Sequence, residues 1–176
     1  MAERPSFVDA TVFLGMHHQD PLIRQHSLRF FRGHYSHQVS MNFEQVGICD
    51  AVIWQQRREV QDAYYPFMDR LHSDMQIMRE GYHTRELELA LGHRELKILR
   101  PEQALLAAQV LAREGVVVTH DPALRRLPCL RSQQWDFASA QPDATFPADL
   151  QALYETSCAF VYAPSWRSGW GPVRSC

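Results

Sequence analysis

Phe7-Val8-Asp9-Ala10-Thr11 and Val116-Val117-Val118-Thr119-His120-Asp121 are two short apolar runs, each leading to an aspartate. Runs rich in β-branched residues and bounded by a turn read as strands of a buried parallel sheet. Open α/β sheets place their ligands beyond the carboxyl ends of such strands. The pattern therefore predicts that Asp9 and Asp121, far apart in sequence, face one crevice. Paired carboxylates in a crevice point to a divalent metal site.

The residues before the second run carry the clearest local signals. Pro101 suits the first turn of a helix, and Glu102 suits its positive end. Ala104, Leu105, Ala107, Ala108, Leu111 and Ala112 read as the buried face, and Gly115 as the stop. The strand that follows at once lies parallel in the same sheet after a right-handed crossover. Pro122 starts the next turn, and residues 127–131 read as a short final strand.

Upstream, residues 6–14 read as the first strand and its exit. Residues 15–21 read as a loop holding His17, His18 and Asp20, and residues 22–32 as a helix. A short extended stretch over 37–41 leads to a helix over 43–58, capped by Asn42. Phe43, Val46, Gly47, Ala51 and Trp54 share one face of it. Residues 59–99 read as two helices broken near Gly81. Tyr64, Phe67, Met68, Leu71, Met75 and Met78 keep a helical period there, which core packing explains. Residues 136–148 read as a connecting loop and 150–160 as a helix. Residues 163–176 contain Pro164, Trp166, Gly169, Trp170, Gly171 and Pro172 and read as irregular.

A chain of 176 residues, 45% apolar, reads as one domain with a proper core. Its formal net charge of -2 excludes a global basic field, so a nucleic-acid partner would need a local patch. Arg57-Arg58 and Arg125-Arg126 with Arg131 are the candidates. Lys97 is the only lysine. Tyr162, Trp166 and Trp170 would either stack bases or cover an apolar or dimer surface. Cys49, Cys129, Cys158 and Cys176 form no CxxC, and no leader or membrane-length apolar run is seen. These features read as thiols of a cytoplasmic protein.

In order and context, residues 5–131 resemble the PIN-like domains, a metal-dependent nuclease fold. In that family a first aspartate ends the first strand, and Phe7-Val8-Asp9-Ala10-Thr11-Val12 is similar. A glutamate lies early in a helix after a Ser-containing stretch, and Val39-Ser40-Met41-Asn42-Phe43-Glu44 is similar. A last acid ends a strand in a Thr-x-Asp motif, which Thr119-His120-Asp121 matches. A third acid normally opens a helix of pattern Asp-Ala-x-x-Ala-Ala. Here Gln103-Ala104-Leu105-Leu106-Ala107-Ala108 fits the helix but puts glutamine in the acid's place. Glu102, one residue earlier and turned by about 100°, is either a substitute ligand or a solvent-facing helix-start charge.

The resemblance implies an α/β three-layer fold, its central mostly parallel sheet flanked by helices, over residues 1–131. Residues 132–176 would be a C-terminal extension packed on it. It implies a ribonuclease using Mg²⁺ or Mn²⁺, with Asp9, Glu44 and Asp121 as ligands and Glu102 as a fourth. It also implies RNA as partner, a homodimer, and an antitoxin-type or pathway partner. Hard oxygen ligands suit such ions, and two ions clamp the attacking and leaving oxygens of a phosphodiester. Asn42, Gln103, Thr119, His17 and His120 would stand around the ligands, as helix cap, strand residue or loop histidines in the plainer reading. His17, His18 and His120 together would favour a mixed His/carboxylate site holding Mn, Fe or Zn. Gln103 in the acid position keeps two other functions open. One is a degenerate PIN-like protein that binds a partner or serves a pathway, and the other is a metal-dependent enzyme on a small molecule.

Overall fold

The computed structural model describes residues 4–139 and 144–164. Four strands form one sheet: β1 (Ser6–Val8), β2 (Ser40–Asn42), β3 (Met78–Glu80) and β4 (Val116–Val118). Their order is β3-β2-β1-β4 and every pairing is parallel, with Phe7 beside Ser40 on one side and Val117 on the other. Successive strand residues point to opposite faces. Val8 and Val118 accordingly join one buried cluster while Phe7 and Val117 join another. Two covered faces explain why the central runs are apolar throughout. This is the three-layer α/β architecture expected.

One layer holds α1 (Ala10–Phe13), α2 (Pro21–Gly33), α3 (Phe43–Trp54) and α4 (Arg58–Asp74). Its core includes Phe13, Phe30, Phe31, Ile53, Phe67 and Leu71, all buried. The other layer holds α5 (Thr84–Gly92) and α6 (Pro101–Ala112), whose Leu106 and Val110 pack with Phe7, Val117 and Leu130. Burying each Phe or Leu side chain stabilises the fold by about 1.5–3 kcal/mol. The chain steps outward from β1 to β2 to β3, then crosses back to place β4 on the far side of β1. Its direction reverses between β1 and β4, and Asp9 and Asp121 emerge at that switch point, beyond the carboxyl ends of the two strands.

Several local readings differ. Residues 59–99 are not two helices, because β3 lies between α4 and α5. Gln76, at φ 50, turns the chain into that strand. β3 is an edge strand paired only with β2, so Met78 and Arg79 face solvent and no apolar run marks it. On α3 the inward residues are Gln45, Cys49 and Ile53, whereas Phe43 and Trp54 are 58% and 74% exposed. Periodicity misled there because this helix turns polar groups toward the sheet end. On α6 the buried set is Gln103, Ala104, Leu106, Ala107, Ala108, Gln109 and Val110, with Leu105, Leu111 and Ala112 only partly covered. Glu114, at φ 52, makes the left-handed step expected of Gly115. Gly115 is needed for space instead: a Cβ there would strike the Phe7 ring and stand 2.7 Å from the Pro5 carbonyl.

After β4 comes the short α7 (Pro122–Arg125). Residues 127–131 are not a strand, since Pro128–Gln133 is a 3₁₀ turn; Gln134 makes the bridge to Val117. Farther on, α8 (Ala148–Ser157) lies against α4, and Arg70 of α4 pairs with both Asp74 and Asp149. Phe146, Leu150, Tyr154 and Phe160 belong to the same core as α2 and α4. Cys49, Cys129 and Cys158 are free thiols. Among the described residues no helix is long and apolar enough to cross a membrane.

Candidate functional site

The switch point brings Asp9 and Asp121 together, with two threonines between them. Asp9 is 2% exposed and caps α1, its Oδ1 accepting from Val12 N at 3.2 Å. Thr11 Oγ1 donates to the same oxygen at 2.6 Å and accepts from His120 N at 2.8 Å. Thr119 Oγ1 donates to Asp9 Oδ2 and accepts from Asp121 N at 2.8 Å. Each hydroxyl thus relays between the carboxylate and a backbone amide beyond β4. Together they stitch the end of β1 to the turn that carries Asp121. Burial outweighs these donors and pushes Asp9 up to about 6, with the negative charge of Asp121 adding to the rise.

Asp121 caps α7, its Oδ1 accepting from Ala123 N at 2.8 Å. Its Oδ2 accepts from Gln103 Nε2 at 2.5 Å, with Arg100 Nη2 at 3.6 Å. The Gln103 Oε1 accepts from Arg100 N at 3.0 Å, so this one amide caps α6 and ties it to Asp121. Glu102 does not reach toward Asp9; it pairs with Arg100 Nε at 3.1 Å. Glu44 is exposed on the first turn of α3. Beside it Tyr82 is pushed well above the usual phenol range, first by burial and then by Glu44.

Carboxamides form a buried network at the end of β2. Asn42 Oδ1 accepts from Gln45 N at 3.0 Å, the expected cap of α3. Its Nδ2 donates to Gln109 Oε1 at 3.3 Å, and Gln109 Nε2 donates to the Gly81 carbonyl at 3.2 Å. Gln45 Oε1 accepts from Ala10 N at 2.9 Å. Asn42, Gln45 and Gln109 are all buried, and their polar atoms hold one another and the backbone.

The histidines diverge. His17 sits in a box of Tyr64, Phe67, Tyr154 and Phe160, with Nε2 2.7 Å from Ser157 Oγ. Burial, helped by Arg24, lowers it to about 3, so it is neutral. His18 Nδ1 accepts from Asp20 N at 2.9 Å. His120 Nε2 lies 2.9 Å from Ser27 Oγ, and burial lowers it to about 4. The C-terminal arm runs beside this turn: Tyr162 N donates to the His17 carbonyl at 2.8 Å, and Gln19 N donates to the Tyr162 carbonyl at 2.9 Å. Burial, then Cys49 and Asp9, hold the Tyr162 hydroxyl protonated. Trp166 and Trp170 lie outside the described residues. Of the basic pairs, Arg58 is spent on Asp62, whereas Arg125 reaches the crevice turn through the Thr119 carbonyl at 3.3 Å.

A hard dication needs several oxygen lone pairs converging on one point. Here the oxygens of Asp9 and Asp121 already accept from hydroxyl, amide and backbone donors, and Arg100 places a fixed positive charge at Asp121. Glu44 is exposed on α3, and Glu102 is held by the Arg100 guanidinium that also faces Asp121. Among the described residues no group of three or more His, Cys, Asp or Glu is arranged to hold a metal ion. The residues present therefore do not fit Mg²⁺ or Mn²⁺ as this crevice is built, nor do the three histidines fit a transition metal.

Sequence reading did not find Thr11, Gln45, Arg100 or Gln109. Thr11 had a signal, since it follows Asp9 by two residues as Thr119 precedes Asp121 by two. The others converge only in three dimensions. A family model described as a family of unknown function, DUF6190, matches residues 1–165. No curated protein matches the chain.

Proposed function

This chain belongs to the family of unknown function DUF6190, and we propose that it is a PIN-like scaffold that works by binding rather than by metal-dependent RNA hydrolysis. The observation that carries this reading is the Gln103 amide, which donates to Asp121 at 2.5 Å where the nuclease pattern has a third carboxylate. Replacing an acid by an amide removes one negative charge and adds a donor. That donor bonds to Asp121 Oδ2 and so competes with a cation for the oxygen. Arg100, 3.6 Å from the same oxygen, supplies positive charge without Lewis acidity or a bound water. Asp9, clamped by Thr11, Thr119 and the α1 backbone, serves as a structural hub. The result is a polar network at the strand ends held by the protein's own donors, which suits an accessory or binding protein.

The test is cation titration of the native protein with Mn²⁺ and Mg²⁺ by calorimetry, beside cleavage of a labelled RNA strand. The expected result is no saturable heat and no cation-dependent cleavage. Gln103→Asp should gain Mn²⁺ affinity, because it restores a carboxylate and releases Asp121. Mn²⁺-dependent cleavage by the native chain, lost in Asp9→Asn/Asp121→Asn, would overturn the proposal and restore the ribonuclease reading.

A further inference from the structure

The face of α3 that carries Phe43 and Trp54, which periodicity marks as inward, is turned to solvent. Phe43 is 58% exposed and Trp54 74%, and no other phenylalanine or tryptophan among the described residues is exposed. Gly47 and Asp50 stand between them and are exposed as well. Phe43, Gly47, Asp50 and Trp54 follow the alternating four-and-three spacing of a helix–helix seam. At about 100° per residue the four positions lie within about 60° of arc. Gly47 sits mid-helix, where glycine is less stable than alanine. Nothing within the chain calls for it there, since a Cβ would meet no atom within 4 Å. It leaves a notch at the middle of the seam that a second helix can approach closely. Phe43 rests against Gly81 at one end, and Arg79 of β3, also exposed, acts on Asp50 with its positive charge.

We propose that two copies of the chain associate through this face, their α3 helices packed antiparallel about a two-fold axis. The antiparallel order is self-complementary: it sets Phe43 against the partner's Trp54 at both ends, and Gly47 against the partner's Asp50 in the middle. A parallel order would set Asp50 against the partner's Asp50. Charge agrees with the same order. Glu44 is exposed in the first turn of α3, and Arg57 is exposed just past its last. Antiparallel packing therefore brings each acid beside the partner's arginine, and the opposed helix dipoles add to the attraction. Arg79 offsets the charge of Asp50 at the centre. The two aromatic pairs are the anchors, as aromatic side chains are at protein interfaces. Twelve residues make a seam about 18 Å long. One such seam falls below the roughly 1,200 Å² of a stable interface, so the dimer is weak, with a dissociation constant of about 10–100 µM. The seam uses none of Asp9, Gln103 and Asp121, and so goes beyond the binding reading above.

The test is sedimentation of the full chain from about 5 µM to about 500 µM, a range that spans the expected constant. The 20.4 kDa monomer should give way to a species of twice that mass as concentration rises. Trp54→Gln, at an exposed position, should weaken association about tenfold or more. Gly47→Arg should abolish it by filling the notch, while the monomer's thermal midpoint stays the same or rises, because arginine suits a helix better than glycine. Arg57→Glu should weaken association about threefold, and adding Glu44→Arg should restore it. Leu91→Gln, at a residue of α5 that is 78% exposed, should change nothing. A dimer untouched by Trp54→Gln and Gly47→Arg, or one that Leu91→Gln disrupts equally, would overturn the proposal. A chain still monomeric at about 500 µM would overturn it too, and would leave the face to another protein. Because mass rather than cation binding or cleavage is read, failure here is separable from failure of the non-hydrolytic reading.

Discussion

Asparagine at position 9 separates a structural carboxylate from a metal ligand. In the folded chain Asp9 rises from the ordinary 3.8 to about 6, mainly because burial penalises its charge. Between those two values the folded state holds a proton that the unfolded state has lost. Stability from this group is therefore present below pH 4 and declines as pH rises to about 6. At 1.36 kcal/mol per pH unit, the decline is about 3 kcal/mol. The group is fully buried, so solvent screening does not reduce the figure. Asp9→Asn is neutral at every pH and removes this term. It also turns one acceptor into a donor opposite Thr11 or Thr119, which costs about 1–3 kcal/mol at all pH values. The difference in stability between native and Asp9→Asn should therefore shift by about 3 kcal/mol toward the mutant between pH 4 and pH 7. Urea unfolding across that range measures it. Taking the difference cancels the histidines, which titrate in both chains. Parallel pH profiles for the two proteins would refute the reasoning. A profile that diverges only when Mn²⁺ is added would point back to a metal ligand.

The buried ion cluster on the other face offers a second test. Arg113 donates to Glu86 at 2.5 Å and to Glu80 at 2.6 Å, and Glu86 is almost fully buried. Arg113→Met should cost about 3–5 kcal/mol in urea unfolding by leaving Glu86 unpaired, and adding Glu86→Gln should recover much of it. A third test concerns His17, lowered to about 3 by burial. Its folded-state pKa is depressed, so it contributes stability above the ordinary 6.5 that is lost as pH falls toward 3. His17→Gln should flatten the acid limb of the urea midpoint between pH 6.5 and pH 4, and an unchanged limb would exclude His17 as its source.

The parts of this fold that could be read from the chain are those where one physical demand acts on consecutive residues. The α6–β4 unit is one: Pro101 starts it, a small-residue face packs it, and three valines buried from both sides finish it. The placement of Asp9 and Asp121 follows from strand polarity alone, because any residue just past adjacent parallel strands at a switch point meets the crevice. β3 escaped because an edge strand with one neighbour needs no apolar alternation, and Met78-Arg79-Glu80 shows none. The inward face of α3 escaped for a related reason. Its buried partners are the backbone of Ala10 and the amide of Asn42, so Gln45 is the inward residue and Phe43 is not.

The chemistry of the crevice lies one step farther from the sequence. Gln103 was visible as a departure from an acidic pattern, but its effect depends on where its amide points. A glutamine turned to solvent would have left Asp121 without this side-chain donor. Held instead by Arg100 N on one side and Asp121 on the other, it converts a missing ligand into an added donor. The two threonines act the same way on Asp9. Asp9 and Asp121 thus stand together beyond the strand ends, each accepting hydrogen bonds from the protein's own donors. A single residue change, Gln103→Asp, tests how much of that arrangement hangs on one amide.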